Sequence, residues 1–439
     1  MGVIGGGIAG AAAALKLAES GRFSVTIFEK ENEIGGLSSS YSWQDLICDR
    51  FYHVILPTDS HLLEFIRDLG LESSLFWENT KSGFYGDGRL VSLSSTRDFL
   101  RFPFLSLWHK FRLGLGILYA NKIRNPRKLD SMSARAWLTR LFGARTYERI
   151  WEPLLRSKLG DAHDRVSASL IWATIKRLYG TRSSVEKQES LGHVHGGYRS
   201  VFEATKRRLC NSGTKIITGI EIEKAAVNRK KRKIVVTSSS NRFEFDRLLM
   251  TVPCQEVLRI IEDDKEDPYW RRLSQIEYLG VICLLLVLKC RLSPYYVINL
   301  LDRRLPFTGI VESTNVISPE SLGDRHLVYL PKYVTRDDPL VNESDREISS
   351  LFLVKLRRVF PDLNEKDILH EQIFREKYVQ PVLDIGFLEK QVGFQTPMPG
   401  VYLVNSSMIS DSTLNNNAIV SLAQKAAYMI IHDNRTKLY

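Results

Sequence analysis

Three glycines near the start of the chain, Gly5, Gly7 and Gly10 in "VIGGGIAG", are spaced as G-x-G-x-x-G, and an acid follows at Glu29. Between a strand and a helix, that spacing serves a diphosphate. The first glycine permits the turn, the second lets the backbone approach the phosphates, and the third lets helix and strand pack closely. The anion then rests on the helix N-terminus, where free N–H groups and the aligned peptide dipoles favour negative charge. Glu29 ends the next apolar run and is placed to accept hydrogen bonds from ribose hydroxyls. A carboxylate there disfavours a 2′-phosphate, so NADP is not expected. A second pair, Gly35 and Gly36 in "ENEIGGL", offers another close backbone approach to an extended ligand. These residues predict a bound dinucleotide, and by themselves leave NAD and FAD both open.

For the glycines to act this way, the chain must fold as β-α-β around them. "GVIGG" reads as a short buried strand, "IAGAAAALKLAESG" as a helix ending at Gly21, and "FSVTIFEK" as a second, parallel strand. From about 60 to 190 the apolar spacing of "SHLLEFIRDLGL" and "SARAWLTRLFGARTYERIWEPLLRSKLG" predicts a helical cap. "HGGYRSVFEATKRRLCNSG" returns to a helix, followed by strands at "TKIITGIEIEKAAV", "KRKIVVTSSS" and "FDRLLMTVP". The basic run "NRKKRK" at 228–233 falls between two of these and reads as a solvated hairpin turn, so no nucleic-acid partner is expected. A second sheet is predicted over 276–335, then a helix at "ESDREISSLFLVKLRRVFP", and finally the strand "GVYLVNSS" and the helix "NNNAIVSLAQKAAYMIIHD".

Composition sets bounds on this plan. A chain of 439 residues exceeds what one core usually serves, and 44% hydrophobic with 25% charged residues excludes a disordered or fibrous chain. The net charge of +11 favours anionic partners without choosing a fold. Five cysteines without a CxxC pair predict a reduced compartment and no metal cluster. No signal peptide is expected. The longest apolar run, "LGVICLLLVL" at 279–288, is about half of the ~20 residues a spanning helix needs. The expected location is therefore cytoplasmic, or peripheral on the inner face of the membrane.

On these residues the chain resembles the FAD-dependent amine oxidase, phytoene desaturase and protoporphyrinogen oxidase superfamily, which includes the UDP-galactopyranose mutase-like flavoproteins. The resemblance starts at "VIGGGIAG…FEKENEIGGL" and continues through "GGYRSVFEATKRRL", "FDRLLMTVP" and "GVYLVNSS…NNNAIVSLAQKAA". Within it, "DRFYHVILPTD", "WEPLLRSKLG" and "YLPKYV" look like a bacterial subgroup described only as FAD-dependent oxidoreductases. The resemblance implies an α/β fold: a Rossmann-like FAD-binding domain of glutathione reductase type, with a second, mixed-sheet plus helical substrate domain. The FAD domain would be discontinuous, at 1–85, 190–265 and 395–439, leaving 86–189 and 266–394 to the substrate domain. It implies FAD as cofactor. Gly5, Gly7, Ile8 and Gly10 would wrap the pyrophosphate, and Glu29 with Lys30 would stand at the adenosine ribose. Gly36, Leu37 and Ser38 would lie on the ribityl side, and strand residue Ile222 would contact adenine through its backbone. Asn416, Asn417 and Ala418 would form the flavin-facing turn of the last helix. Two departures stand out. Asn405 and Ser406 replace the usual Gly-Asp/Glu, making the ribityl contact neutral or shifted, and "DSTLNNNA" lacks the glycine that commonly opens the last helix.

The implied activity is that of an oxidase or desaturase moving hydride from an apolar or amine-bearing small molecule to flavin N5. Two alternatives stay open: a non-redox, flavin-dependent mutase acting on a nucleotide sugar, and a non-catalytic flavin-binding protein. Catalytic candidates are few, because flavin does the redox work itself. Tyr52 and His53 in "RFYH" match the stretch beside the flavin ring in relatives, or are buried aromatics in a polar turn. Lys332, ending a predicted strand in "YLPKYV", is either a lysine near N5 or a surface residue, and Tyr329 and Tyr333 flank it as pocket-lining candidates. Glu312 and Asn315 could contact substrate or cap a turn. His193 and His195 share a strand face but lack a third ligand, so no metal is expected. The segment 97–128 mixes Phe, Trp and Leu with arginines and lysines; it either lies on an anionic bilayer or packs its apolar side into the cap.

Overall fold

The computed structural model describes residues 1–125, 127–180, 189–410 and 413–433. The opening strand Gly2–Ile4 pairs in parallel with Thr26–Phe28 on one side and Leu248–Met250 on the other. Lys215–Ile217 and Val401–Leu403 extend the sheet at its two edges, also in parallel, giving five strands. Parallel neighbours require a crossover, and the helix Ile8–Glu19 supplies the first. Its run Ala11–Ala14 is fully buried, because alanine lets the helices Gly197–Asn211 and Asn416–His432 pack closely against it. The helix stops where predicted, with Gly21 in the left-handed region at φ 68°.

The second sheet has seven strands in the order Ile368–Pro381, Tyr278–Leu288, His326–Val334, Gly309–Glu312, Val297–Leu300, Ser82–Gly86 and Arg89–Ser92. It is mixed: Val297–Leu300 runs parallel to Ser82–Gly86 and antiparallel to Gly309–Glu312. The apolar run at 279–288 belongs to its buried strand Tyr278–Leu288. Both faces of that strand are covered, which explains the unbroken hydrophobicity. Ile282, Leu284 and Leu286 pack with Ile348 and Phe352 of the helix Asp345–Val359, while Val281, Cys283 and Leu285 pack with Tyr329, Phe51 and Phe374.

The structure differs from the sequence expectations in three places. The stretch read as helical from 60 begins with Ser60–Asp68 but then holds the strands Leu75–Thr80, Ser82–Gly86 and Arg89–Ser92. The second of these straddles the expected domain boundary at 85 and joins the seven-stranded sheet. "TKIITGIEIEKAAV" is not one strand but holds Lys215–Ile217 and the start of Lys224–Asn228, in different sheets. The strand Ile368–Pro381, unanticipated from the sequence, is 14 residues long and half-exposed, so its pattern is too polar to stand out. The basic run at 228–233 does join antiparallel strands. Among the described residues, no helix is long and apolar enough to cross a membrane.

Candidate functional site

The five-stranded sheet brings the early glycines together at the carboxyl ends of Gly2–Ile4 and Thr26–Phe28, where an open α/β sheet offers a crevice. The glycines there are required for different reasons. A Cβ on Gly10 would sit 1.9 Å from the Gly5 carbonyl oxygen, and Gly5 holds φ 104° with Thr251 Oγ1 2.6 Å from where its Cβ would be. Protein packing alone explains both. A Cβ on Gly7, by contrast, would meet nothing closer than Gly36 Cα at 3.8 Å, an ordinary contact. Protein packing therefore does not by itself require glycine at position 7, although the turns at Gly7 and Gly36 are close, a Cβ on Gly36 falling 3.1 Å from Gly7 Cα. The helix Ile8–Glu19 starts directly behind it, with no side-chain cap on its N-terminus and no acid in its first turn. An uncapped N-terminus behind a glycine that packing does not require fits a diphosphate. Glu29 is buried, its Oε2 accepting from Gly6 N at 2.7 Å and its Oε1 from Glu31 N at 3.0 Å. These bonds fix the carboxylate beside the glycine turn. Lys30 is exposed and faces Glu31 at 3.9 Å. Together these features fit the adenosine diphosphate part of a flavin dinucleotide.

Farther along the crevice, segments distant in sequence converge. Ser38 Oγ lies 3.3 Å from His53 Nε2 and accepts from Asn416 Nδ2 at 3.1 Å. The helix Asn416–His432 is capped by Asn415, whose Oδ1 accepts from Ala418 N at 2.9 Å, and Asn417 Oδ1 accepts from Leu62 N at 3.0 Å. Asparagines thus open the last helix in place of a glycine. Residues 411 and 412, the start of "DSTLNNNA", lie outside the described residues. The His53 ring is 5.0 Å from that of Tyr198, and burial pulls the imidazole down to about 4, so it is neutral at physiological pH. Tyr52 shares a hydrogen bond with Tyr333 and stacks obliquely on Tyr329 at 6.3 Å. Burial raises the phenols of Tyr52 and Tyr333, keeping them protonated.

Other predicted residues are not brought here. On the strand His326–Val334, side chains alternate between faces. Tyr329 and Tyr333 point to the Tyr52 side, whereas Val328, Leu330 and Val334 pack with the helix Asp345–Val359. Lys332 shares the parity of Leu330 and Val334 and is turned away from the tyrosines; it also lies within the strand, not at its end. Glu312 and Asn315 cap a turn. The Glu312 carboxylate accepts from Leu292 N and Ser293 N, each at 2.9 Å, and Asn315 Nδ2 donates to Ser293 O and Tyr295 O. His193 and His195 both approach the Phe76 ring, and they line a cavity of about 540 Å³ that also touches Asp49. No group of three metal-ligating side chains occurs among the described residues. Ile222 is buried in the link before Lys224–Asn228 and is not a strand residue. Asn405 is engaged internally: Nδ2 donates to Val252 O at 2.9 Å, and Oδ1 accepts from Ser407 N at 3.0 Å, with Ser406 between them.

Three groups at this cluster carry no motif and were missed. Lys158, on the helix Glu152–Leu159, places Nζ 6.0 Å from the Tyr333 ring centroid, and no carboxylate among the described residues pairs with it. Arg177 donates to both oxygens of buried Asp59, at 3.2 and 3.4 Å, and to Thr413 Oγ1 at 3.2 Å. Burial and the Arg177 charge both lower the Lys158 ammonium from its ordinary value. Asp49 is buried beneath Tyr198, whose N–H it accepts at 3.0 Å, and burial pushes its carboxyl up to about 7. Lys158 was legible only as a residue of an amphipathic helix, since nothing in the sequence says which tyrosine its end meets.

A family model described as flavin containing amine oxidoreductase matches residues 8–420 of this chain. Coproporphyrinogen III oxidase of Staphylococcus aureus is 22% identical over 313 residues, 64% of this chain and 66% of that protein. Mitochondrial protoporphyrinogen oxidase of Nicotiana tabacum is 30% identical over 169 residues, 38% of this chain and 33% of that protein. The matches thus span less than two thirds of either curated relative. A solved Exiguobacterium sp. 255-15 structure, provisionally described as a protoporphyrinogen oxidase, superposes with a TM-score of 0.77 at 18% identity, over 98% of both chains. At that identity the likeness shows the fold: α/β, with a parallel five-stranded and a mixed seven-stranded sheet.

Proposed function

This chain belongs to the flavin containing amine oxidoreductase family, and from that premise we propose that it holds FAD along the crevice from Gly7 to Asn416 and oxidises a small, largely apolar molecule bearing an acid group. The observation that carries the cofactor assignment is Gly7, a glycine that protein packing does not require, set on the uncapped N-terminus of the helix Ile8–Glu19. Gly7 and Ile8 would hold the diphosphate on a turn that Gly5 and Gly10 shape, Glu29 would hold the adenosine ribose, and Gly36 to Ser38 the ribityl side. Asn416, Asn417 and Ala418 present the start of the last helix to the ring, where its dipole favours negative charge. When bound, the flavin supplies hydride acceptance and passes the electrons on to oxygen or a quinone.

The chain's own groups orient the substrate. Tyr52 and Tyr333 are protonated phenols and act as hydrogen-bond donors, not bases. Neutral His53 donates from Nδ1 to Phe51 O at 2.8 Å, so its Nε2 accepts from Ser38 Oγ, and the ring carries no charge. Lys158, facing Tyr333 without a carboxylate partner among the described residues, repels a protonated amine and attracts a carboxylate or phosphate. The acid-bearing substrate class rests on this residue. The names of the curated relatives make porphyrinogens first molecules to assay. Mixing the purified yellow protein anaerobically with a porphyrinogen or another acid-bearing reductant is expected to bleach the flavin band. Retained colour with every such compound would refute net oxidation.

The same cation favours a second assignment, rearrangement of a nucleotide sugar without net redox change, with Lys158 and Arg177 at the diphosphate. In that case turnover appears only after reduction with dithionite, and no substrate bleaches the flavin by itself.

A further inference from the structure

The helix Leu107–Lys122 has two apolar faces, and the fold buries only one. On the inner face Leu113, Gly116 and Ala120 are buried; a Cβ on Gly116 would lie 2.4 Å from Phe142 Cε1, and Trp172 Nε1 donates to Ala120 O at 3.1 Å. On the other face Leu107, Trp108, Phe111, Leu115, Leu118 and Tyr119 are 72, 67, 59, 52, 49 and 59% exposed. At 100° per residue these six fall within an arc of about 120°, opposite the buried side. Leu100, on the preceding helix Thr96–Arg101, is 56% exposed as well, so nearly half of the large exposed apolar side chains among the described residues lie within twenty positions. That concentration is not the scatter expected of an ordinary surface.

Charge around this stripe is mostly positive, and Asp98, the acid beside Arg97, is held by Ser92 and Ser94. The helix contains no Asp or Glu. Its internal cations are withdrawn: Lys110 Nζ donates to Leu100 O at 2.6 Å, and Arg112 donates to Leu141 O and Arg140 O. Exposed Arg97 and Arg101 precede it, exposed Lys122 ends it, and exposed Arg124, Arg127 and Lys128 follow it. We propose that the face of Leu107–Lys122 docks on an anionic phospholipid bilayer, its apolar side chains at the acyl boundary and the flanking cations at the headgroups. A 16-residue helix is about 24 Å long, sufficient to lie in the interface and too short to span the membrane. A second copy is the poorer occupant, because two-fold pairing of this stripe would set Arg97 and Arg101 of one copy against the cations after Lys122 of the other.

The test is vesicle flotation of the full chain at low salt, with phosphatidylcholine alone and with phosphatidylcholine containing phosphatidylglycerol. The wild type should float with the anionic vesicles and partition at least tenfold less onto neutral ones. Trp108→Ser/Phe111→Ser/Leu115→Ser, confined to exposed positions and checked for unchanged melting, should lose binding tenfold or more. Lys122→Glu/Arg124→Glu/Arg127→Glu should abolish the preference for anionic lipid. Wild-type protein left at the bottom of the gradient with anionic vesicles would overturn the proposal. So would equal binding to neutral vesicles, or a concentration-dependent dimer in light scattering that the serine variant dissolves.

Discussion

At the scale of single residues, the glycines separate what the fold needs from what a ligand needs. Gly7→Ala adds a methyl group that touches only Gly36 Cα at 3.8 Å, on a backbone at φ −70° that any residue adopts. It should strip the protein of its flavin absorbance and leave the melting temperature of the flavin-free protein unchanged. Gly10→Ala drives a Cβ to 1.9 Å from the Gly5 oxygen and should cost at least about 3 kcal/mol in urea denaturation. Equal effects of the two substitutions on stability and on flavin content would contradict this division of roles. Lys158 and Lys332 form a similar pair: Lys158→Met should raise KM for an acid-bearing substrate tenfold or more while flavin content is kept, and Lys332→Met should leave KM alone. Asp49 makes a pH prediction. Its carboxyl, raised to about 7 by burial, stays protonated in the folded chain where the unfolded chain has released the proton. This contribution to stability is fully present below about pH 4 and is lost as pH rises through 7. Asp49→Asn keeps an acceptor for Tyr198 N without the titration, so its melting temperature relative to wild type should rise from pH 5 to pH 8; a constant difference would exclude Asp49 as the cause.

At the scale of elements, the cluster depends on ties between helices that sequence pattern does not announce. Arg177, on the helix Ala168–Gly180, reaches Asp59 at the start of Ser60–Asp68 and Thr413 ahead of the last helix. Arg177→Met leaves the buried Asp59 carboxylate without its cation and should destabilise by about 3–5 kcal/mol, with Arg177→Met/Asp59→Asn recovering much of the loss in the same denaturation assay. The β-α-β unit was readable because its apolar triplets, alanine helix and glycines agree at every level. The strands at 75–92 were not, because short runs such as "SLFWENT" and "KSGFYG" gain their conformation from partners at 189–194 and 297–300. The choice between the two readings of Lys332 was not legible for a related reason. The sequence shows that the strand exists, but which of its two faces meets Tyr52 depends on how the sheet is covered.

At the scale of the whole molecule, the candidate cofactor crevice is assembled from Gly7, Gly36, Ser38, His53 and Asn416, which span nearly the full chain. A ligand that bridges these positions binds the folded chain and not the unfolded one, so it must stabilise the fold. Adding FAD to protein stripped of flavin, at 100 times its Kd, is expected to raise stability by about 2.7 kcal/mol, read as a higher melting temperature. Gly7→Ala should abolish that rise. An unchanged melting temperature in the wild type under saturating FAD would remove the basis for assigning the crevice to this cofactor.

The sequence by itself determined the parts that are local: the glycine turn, the helix behind it, Glu29 at the end of the second strand, and the apolar strand at 279–288. Each is set by backbone geometry or by a periodicity within a few turns of chain. Only the tertiary structure decided the parts that depend on which side of an element meets which neighbour. It turned Lys332 away from the tyrosines, set Lys158 beside Tyr333, assigned Glu312 and Asn315 to a turn, and left one of two apolar faces of Leu107–Lys122 in the open. A helix sequence records how much apolar surface it carries, but only the packing of the other elements determines how much of that surface is covered.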